Sequence, residues 1–337
     1  MSPQKRFYSA AVGTLVILSP LFRECQGQES RIEATIPKAS ASSPLAAILT
    51  TDCGVDIDDQ WVLAHLLLSS ELDLQAAITT HASSIKFSSA SSAQCVAEVL
   101  AHVPPVRTSP RPPVMSGSDV PLHDATTPQE NPGVDLLLRL SRNFSASRRL
   151  VVFITGAGTD VASAILEDPT ITKRVVVVAM GFNDWPGGGE EFNVKNDPLA
   201  WEVILNSDVP LVIGSAAVTK RGLRLTRAEA ATLMRTHGPV GEYLDSLFDH
   251  WLEQHPDLVA RVVAPATWVV WDEVVIAYAL GMTSGNEVPR PQLKSSLSFS
   301  HPETSQRIMW LTQIDTERLW RDFTAKIDAR DPSKKRP

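Results

Sequence analysis

The sequence is short of positive charge, of cysteine and of long apolar runs. Lysine and arginine number 31 against 38 aspartates and glutamates, and the net charge of −7 argues against non-specific binding of nucleic acid. The three cysteines, Cys25, Cys53 and Cys95, leave the redox compartment and any pairing open. A hydrophobic fraction of 43% with 20% charged residues excludes a largely disordered chain. A small ligand, held through a cation, suits this composition better than a polyanion does.

The N-terminus is typical of a secretory signal. Lys5 and Arg6 precede the apolar run FYSAAVGTLVILSPLF, which is too short and too interrupted for a membrane span. We expect residues 1–28 to be a signal peptide, residues 29–44 a Ser/Pro-rich linker, and residues 45–330 a single large domain. The chain is then expected to be exported, to a periplasm or to the outside, with a cytoplasmic location left open.

Strand-like and helix-like segments alternate after residue 45. The apolar, often Val-rich runs that favour buried strands are 45–51, 74–80, 150–156, 174–180 and 210–216. Such alternation predicts an α/β fold with an open, mostly parallel, Rossmann-like sheet and helices on both faces. Polar, Gly-bearing loops follow three of these strands, so a ligand site is expected at the carboxyl edge of the sheet.

The stretch LTTDCGVDIDDQWVLAHLL places Asp52, Asp56, Asp58 and Asp59 within eight positions. One or two aspartates could cap the helix that follows, but capping does not explain all four. Ca²⁺ takes six to eight oxygen ligands, so the segment predicts a cation site. The glutamate that closes an EF-hand loop is missing, which excludes that motif. Asp272, between TWVVW and a helix-like run, suits either a helix cap or a further ligand.

Other common site types are absent from the sequence. The Gly-rich stretch TGAGTD lacks the lysine of a phosphate-binding loop, and no dinucleotide fingerprint is present. The histidines form no obvious metal set. His65, His237, His250 and His255 are interpreted as solvated or helix-face residues, and His81 and His123 remain candidates for contact with a substrate.

Five stretches, taken in order, resemble the nucleoside hydrolase family of calcium-dependent N-ribohydrolases. They are TDCGVDIDD, FITGAGTDVASAI, VVAMGF, EEFNVKNDPLAW and VVWDEVVIAYAL. The likeness extends over roughly residues 45–285. It implies the nucleoside hydrolase fold and hydrolysis of the N-glycosidic bond of ribonucleosides to ribose and free base.

The resemblance also implies a role for individual residues. The ligands of Ca²⁺ would be the side chains of Asp52, Asp59 and Asp272 and the backbone carbonyl of Thr155. Asp52 would also be the general base. The ribose would be lined by Asp58, Met180, Asn183, Glu191, Asn193 and Asp272. Trp271 occupies a position where purine-preferring members carry a tryptophan that stacks on the base, so a preference for purine nucleosides is predicted.

The chain departs from the family pattern at three places. Thr50 stands where the family begins its Asp-x-Asp sequence, and Asp56 has no family counterpart. The asparagine expected after the second strand is missing, and His81 and Ser83 are found in that segment instead. These departures bear on affinity for the substrate more than on binding of the metal.

Two other functions remain open at this point. The missing asparagine is compatible with a catalytically inactive paralogue that binds ribose or a cation. An aspartate-dependent phosphatase would also carry an acidic loop after its first strand, but it needs an Asp-x-Asp that Asp52-Cys53-Gly54 does not supply. The expected partner is a small-molecule nucleoside and not a nucleic acid, and the sequence leaves a homodimer or a homotetramer open.

Overall fold

The computed structural model describes residues 39–106, 111–331 and 334. The predicted signal peptide and residues 29–38 of the predicted linker lie outside these ranges. Within them, every helix falls short of the length and apolarity that a membrane span requires.

Eight strands form the central sheet. The strands of the described residues are β1 (Leu45–Thr51), β2 (Leu72–Thr79), β3 (Val114–Ser116), β4 (Leu150–Ile154), β5 (Val175–Met180), β6 (Leu211–Gly214), β7 (Arg224–Thr226), β8 (Thr267–Val269), β9 (Thr283–Pro289), β10 (Gln292–Leu293), β11 (Phe299–Ser300) and β12 (Arg307–Ile314). The sheet order is β3-β2-β1-β4-β5-β6-β12-β9. All neighbours pair in parallel except β9, which runs antiparallel to β12 at the edge.

Helices cover both faces of this sheet. They are α1 (Asp58–Leu68), α2 (Ser89–His102), α3 (Pro132–Ser141), α4 (Thr159–Glu167), α5 (Phe192–Asn196), α6 (Pro198–Asn206), α7 (Ala216–Gly222), α8 (Arg227–Met234), α9 (Gly238–Gln254), α10 (Pro256–Val262), α11 (Glu273–Ala279) and α12 (Thr316–Asp328), with 3₁₀ turns at Ser83–Ile85 and Pro169–Lys173.

The alternation of side chains along β1 shows how the two faces are divided. Leu49 packs into one apolar cluster with Trp61 of α1 and Phe323 of α12. Its neighbour Ile48 points to the opposite face, in a second cluster with Trp201 of α6. Both clusters consist of buried residues, as expected for a parallel sheet covered on both sides. The predicted α/β architecture is confirmed.

A disulfide joins Cys53 to Cys95, 42 residues further along the chain. Cys53 directly follows Asp52 in the loop after β1, and Cys95 lies on α2. The bridge therefore anchors the acidic loop to a neighbouring helix. The spacing of the cysteines alone could not identify this pair.

The interpretation of His65 as a solvated residue is wrong. Its side chain is fully buried, and Nδ1 lies 3.0 Å from Oε2 of Glu273 while Nε2 lies 3.0 Å from Oδ2 of Asp322. Burial lowers the pKa of His65, but the Glu273 carboxylate and the two hydrogen bonds outweigh that effect and raise it above the ordinary value. The resulting ion pair ties α1 to α11.

We expect His65→Leu to lower the free energy of unfolding by about 3–5 kcal/mol, because it leaves Glu273 buried without a counter-charge. Denaturant unfolding would measure this loss. The double variant His65→Leu with Glu273→Leu removes both charges and should recover a large part of the stability. Equal losses in the single and double variants would contradict the ion pair.

Candidate functional site

A cavity of about 420 Å³ lies at the carboxyl edge of the sheet. The strand order reverses between β1 and β4, and the loops that follow these two strands diverge there and leave a crevice. Every residue to which the family resemblance assigned a role lines this cavity: Asp52, Asp58, Asp59, Thr155, Met180, Asn183, Glu191, Asn193, Trp271 and Asp272. Residues more than 200 positions apart in the chain are thus brought together.

Asp56, which had no assigned role, shapes the acidic loop. Its Oδ1 accepts a hydrogen bond from the backbone N–H of Asp58 at 3.1 Å, at the start of α1. Its Oδ2 accepts from the indole N–H of Trp268 at 3.3 Å. The side chain therefore satisfies a free N–H at the helix N-terminus and fixes a tryptophan of the cavity wall.

Asp59 is held by two threonine hydroxyls. Those of Thr51 and Thr155 both donate to its Oδ1, the latter at 2.8 Å. Gly156 lets β4 approach this closely, since a Cβ there would lie 2.8 Å from the backbone nitrogen of Asp52. The ends of β1 and β4 are therefore locked together around one carboxylate.

Asp272 lies beside Asp58 and Asp59, although it is more than 200 residues away from them in the sequence. It precedes α11, and its backbone N–H donates to Oδ2 of Asp58 at 3.3 Å. Carboxylate oxygens of Asp58, Asp59 and Asp272 all lie within 4.8 Å of one another, and all three residues are buried. Asp58, assigned above to the ribose, thus belongs to the tightest carboxylate cluster of the described residues.

Burial shifts the titration of these carboxyl groups upwards. It raises the pKa of Asp52 well above the usual range, and the negative charges of Asp59 and Asp56 raise it further. The pKa of Asp58 and that of Asp272 are raised for the same reasons, burial first and neighbouring carboxylates second. Burial raises the pKa of Asp59 to about 7, although the bonds from Thr51 and Thr155 oppose the shift.

These residues fit a hard divalent cation. Oδ2 of Asp52 is buried without a hydrogen-bond partner, in a cavity that also contains the three clustered carboxylates. The lining residues of the described chain include no histidine and no cysteine. An all-oxygen set favours Ca²⁺ or Mg²⁺ over zinc, and a cation would favour the ionised carboxylates against the burial and mutual repulsion that raise their pKa values.

A second group of polar side chains comes from the segment after β5. Glu191 caps α5, with Oε2 accepting the N–H of Val194 at 3.1 Å, and burial raises its pKa to about 7. The amide of Asn193 donates to the carbonyl of Met180 at 3.4 Å. Asn183 lies on the exposed rim. Carboxylate and amide groups therefore line the cavity beside the acidic cluster.

A third group of lining residues, here called the apolar wall, was largely missed by sequence reasoning. It consists of Ile85, Phe192, Trp251, Leu258, Val262, Trp268 and Trp271. The ring centroids of Trp268 and Trp251 are 5.2 Å apart, and those of Trp268 and Trp271 are 6.2 Å apart. Ile85, Phe192 and Val262 are 54%, 37% and 37% exposed, which is unusual for large apolar side chains and is typical of a binding surface.

His81, a candidate for contact with a substrate, and Trp185, in the Gly-bearing loop after β5, both lie away from this cavity. Both ring nitrogens of His81 are engaged, Nε2 with the hydroxyl of Thr159 at 2.9 Å and Nδ1 with the N–H of Ser83 at 3.2 Å. Trp185 packs on Phe299 and Trp310. Neither side chain lines the cavity, so neither is placed to contact a ligand there.

The chain is similar in sequence to known nucleoside hydrolases. A family model described as inosine-uridine preferring nucleoside hydrolase matches residues 47–321. The pyrimidine-specific ribonucleoside hydrolase RihA of Salmonella schwarzengrund is 29% identical over 149 residues, which are 42% of this chain and 47% of that protein. RihA of Klebsiella pneumoniae is 29% identical over 148 residues, 42% and 46% of the two chains. The chain therefore aligns with about half the length of the curated relatives it matches.

Solved structures with the same fold include two nucleoside hydrolases. The plant nucleoside hydrolase PpNRh1 superposes with a TM-score of 0.68 at 17% identity, covering 85% of this chain and 99% of that one. The purine-preferring ribonucleoside hydrolase of Gardnerella vaginalis gives a TM-score of 0.68 at 17% identity, covering 84% and 98%. At such identities the similarity shows a shared fold, and the predicted fold is confirmed.

Proposed function

The chain belongs to the inosine-uridine preferring nucleoside hydrolase family, as the five motifs predicted, and we propose that it hydrolyses the N-glycosidic bond of ribonucleosides to ribose and free base. One observation carries the proposal: a single cavity unites a buried carboxylate cluster, a polar wall and an apolar aromatic wall. An N-riboside has matching parts, because its hydroxyls need oxygen and amide ligands and its base needs a flat apolar surface.

We propose Ca²⁺ as the cation of this site, held by Asp52, Asp59, Asp272 and the carbonyl of Thr155, with Asp58 beside them. A bound Ca²⁺ would lower the pKa of a coordinated water and anchor ribose hydroxyls. The buried, unpaired Oδ2 of Asp52 and the absence of nitrogen and sulfur ligands among the described lining residues support this choice.

Asp52 is assigned the role of general base. Its carboxylate removes a proton from the attacking water as the oxygen adds to C1′ and the bond from C1′ to the base breaks. The ribosyl ring becomes positively charged in such a transition state. Glu191 and Asp58, both buried, stabilise that charge electrostatically, and Asn193 with Asn183 orients the hydroxyls.

We further propose that purine nucleosides are preferred. Trp271 lines the cavity next to Asp272, and Trp268 and Trp251 extend the same wall. A bicyclic base buries more area against these rings than a pyrimidine does.

A nucleoside panel tests the reaction and the preference together. We expect purified protein with Ca²⁺ to release hypoxanthine from inosine with a kcat/KM about tenfold above that for uridine, and Trp271→Ala to remove most of this difference while Trp185→Ala does not. Base release can be followed by absorbance. Equal or faster turnover of uridine would overturn the preference. Binding without base release would indicate the inactive paralogue, and turnover of phosphate esters alone would indicate a phosphatase.

We propose that the chain is exported. The basic and apolar N-terminal segment supports this, and so does the bond between Cys53 and Cys95, because disulfides persist mainly in oxidising compartments. Fractionation of cells that express the full chain tests the location, and cytoplasmic recovery of the protein would contradict it.

The disulfide between Cys53 and Cys95 is expected to stabilise the folded protein. Closing a loop between residues 42 apart limits the entropy of the unfolded chain, so Cys95→Ser should lower the free energy of unfolding by up to about 4 kcal/mol. Denaturant titration with and without dithiothreitol would measure it. The reductant should destabilise the natural protein and leave the double variant Cys53→Ser with Cys95→Ser unchanged. Equal sensitivity of both proteins would refute a stabilising bridge.

A further inference from the structure

The cavity combines an excess of carboxyl groups with a lack of nitrogen, phenol and thiol side chains that could protonate a leaving base. Its lining carries seven carboxyl groups: Asp52, Asp56, Asp58, Asp59, Glu190, Glu191 and Asp272. Within the described part of the chain, no histidine, lysine, arginine, tyrosine or cysteine lines it. The carboxyl groups outnumber the two charges of a divalent cation, so the field in the cavity favours positive ligands.

A neutral nucleoside is a poor substrate for this cavity. A neutral base takes the electron pair of its glycosidic bond and departs as an anion unless it gains a proton. Negative charge that develops on the base is repelled by the surrounding carboxylates. Histidine, lysine and tyrosine, the usual donors of such a proton besides carboxylic acids, are absent from the described lining. The proposed function already assigns the buried carboxyl groups to the cation, the attacking water and the ribosyl ring.

A base that is already positively charged avoids both problems. When water adds through its oxygen to C1′, the electron pair of the C1′–N bond passes to the ring nitrogen and cancels the positive charge. The base leaves neutral, and the proton of the water passes to Asp52 and then to solvent. No proton is delivered to the base and no anion forms.

The apolar wall suits the same class of base. Trp251, Trp268 and Trp271 form one contiguous set of indole rings, and indole faces attract cations more strongly than the other aromatic side chains do. Glu190 lines the cavity and is exposed to solvent, which places its charge at the rim. The attraction by Glu190 and the stacking on the indole rings therefore both favour a cationic base.

From these features we propose that the preferred substrates are N-ribosides of cationic aromatic bases, such as N7-alkylated purines or substituted pyridinium rings. This inference rests on the proposed hydrolysis of nucleosides and specifies the chemical class of its leaving group.

The test compares 7-methylguanosine with guanosine, which differ by one methyl group and one positive charge. We expect a higher kcat/KM for the cation, and a KM for the cation that rises with ionic strength while that for guanosine does not. Intrinsic reactivity also differs between the two compounds. The decisive quantity is therefore the ratio of their kcat/KM values in variant and natural protein, in which that difference cancels.

Glu190→Lys reverses one charge at the rim and should lower this ratio about tenfold, mainly through KM for 7-methylguanosine. Glu303→Lys makes the same change on an exposed residue outside the cavity and should leave the ratio unaltered. An unchanged ratio in Glu190→Lys, or a natural preference for guanosine after correction for spontaneous hydrolysis, would overturn the inference.

Failure of the proposed function would look different, because neither nucleoside would then be hydrolysed. Calorimetric dissociation constants for the two compounds still decide the charge preference in that case. Tighter binding of 7-methylguanosine that is lost in Glu190→Lys supports it, and equal binding refutes it.

Discussion

Asp52→Asn should lower kcat for nucleoside hydrolysis by at least about 10³-fold and leave the fold intact. Asparagine has nearly the same shape as aspartate, but it cannot take a proton from water, and general base catalysis contributes 10²- to 10⁴-fold. Asp52 is 3% exposed, and its Oδ2 has no hydrogen-bond partner. No protein donor is therefore lost when this oxygen is replaced, and this oxygen is available to accept a proton.

The experiment compares initial rates of base release with near-ultraviolet circular dichroism and Tm. Asp135→Asn, an exposed aspartate of α3 outside the cavity, makes the same chemical change and should keep full activity. Activity within tenfold of the natural protein in Asp52→Asn would exclude Asp52 as the base. Loss of activity together with loss of the near-ultraviolet signal would point to a structural role instead.

The parallel core was predictable because its signals are local. Val175–Met180 is a run of apolar residues that is buried at every position, and loops rich in aspartate or glycine follow such runs. The edge formed by β12 and β9 was not predicted. Most of β9 is only half-buried and its residues are largely polar, so its place beside β12 depends on contacts distant in the chain.

The site residues also fall into those that local sequence signals predicted and those that they did not. Asp52, Asp59 and Asp272 could be identified because acidic residues between an apolar strand and a helix are conspicuous and matched a family pattern. Trp251, Leu258 and Val262 look like ordinary helix core in the sequence, and only the packing of α9 and α10 turns them towards the cavity. The buried pair of His65 and Glu273 and the pairing of Cys53 with Cys95 likewise join residues whose proximity no local pattern reports.

Removal of divalent cations should abolish hydrolysis, and Ca²⁺ should restore it. Dialysis against a chelator leaves the carboxyl groups of the cavity to repel one another, and no single side chain of the lining replaces a cation. Added Ca²⁺ binds the folded state and raises its stability by about 2.7 kcal/mol at a concentration one hundred times the dissociation constant. Full activity after chelation and dialysis would contradict a metal-dependent site.

The free energy of unfolding of the cation-free protein should depend on pH, because carboxyl groups of the cavity are buried close to one another. Burial raises the pKa of Asp59 from 3.8 to about 7 and that of Glu191 from 4.5 to about 7, so the folded state without a cation binds more protons than the unfolded state between these values. The stability that these two groups contribute is fully present below about pH 4 and is lost as pH rises through 7. Each of the two shifts spans about two pKa units within this range, so we expect the cation-free protein to lose about 5 kcal/mol between pH 5 and pH 8.

Saturating Ca²⁺ should flatten that profile, because the cation favours the ionised carboxylates and offsets their mutual repulsion. Asp59→Asn removes one of the carboxyl groups and should both weaken the pH dependence without Ca²⁺ and reduce the stabilisation that Ca²⁺ gives. Asp135→Asn should change neither. Denaturant unfolding of the three proteins across this pH range, each with chelator and with Ca²⁺, measures these effects. A profile that is the same with and without Ca²⁺ would show that the buried carboxylates of this cavity are not a cation site.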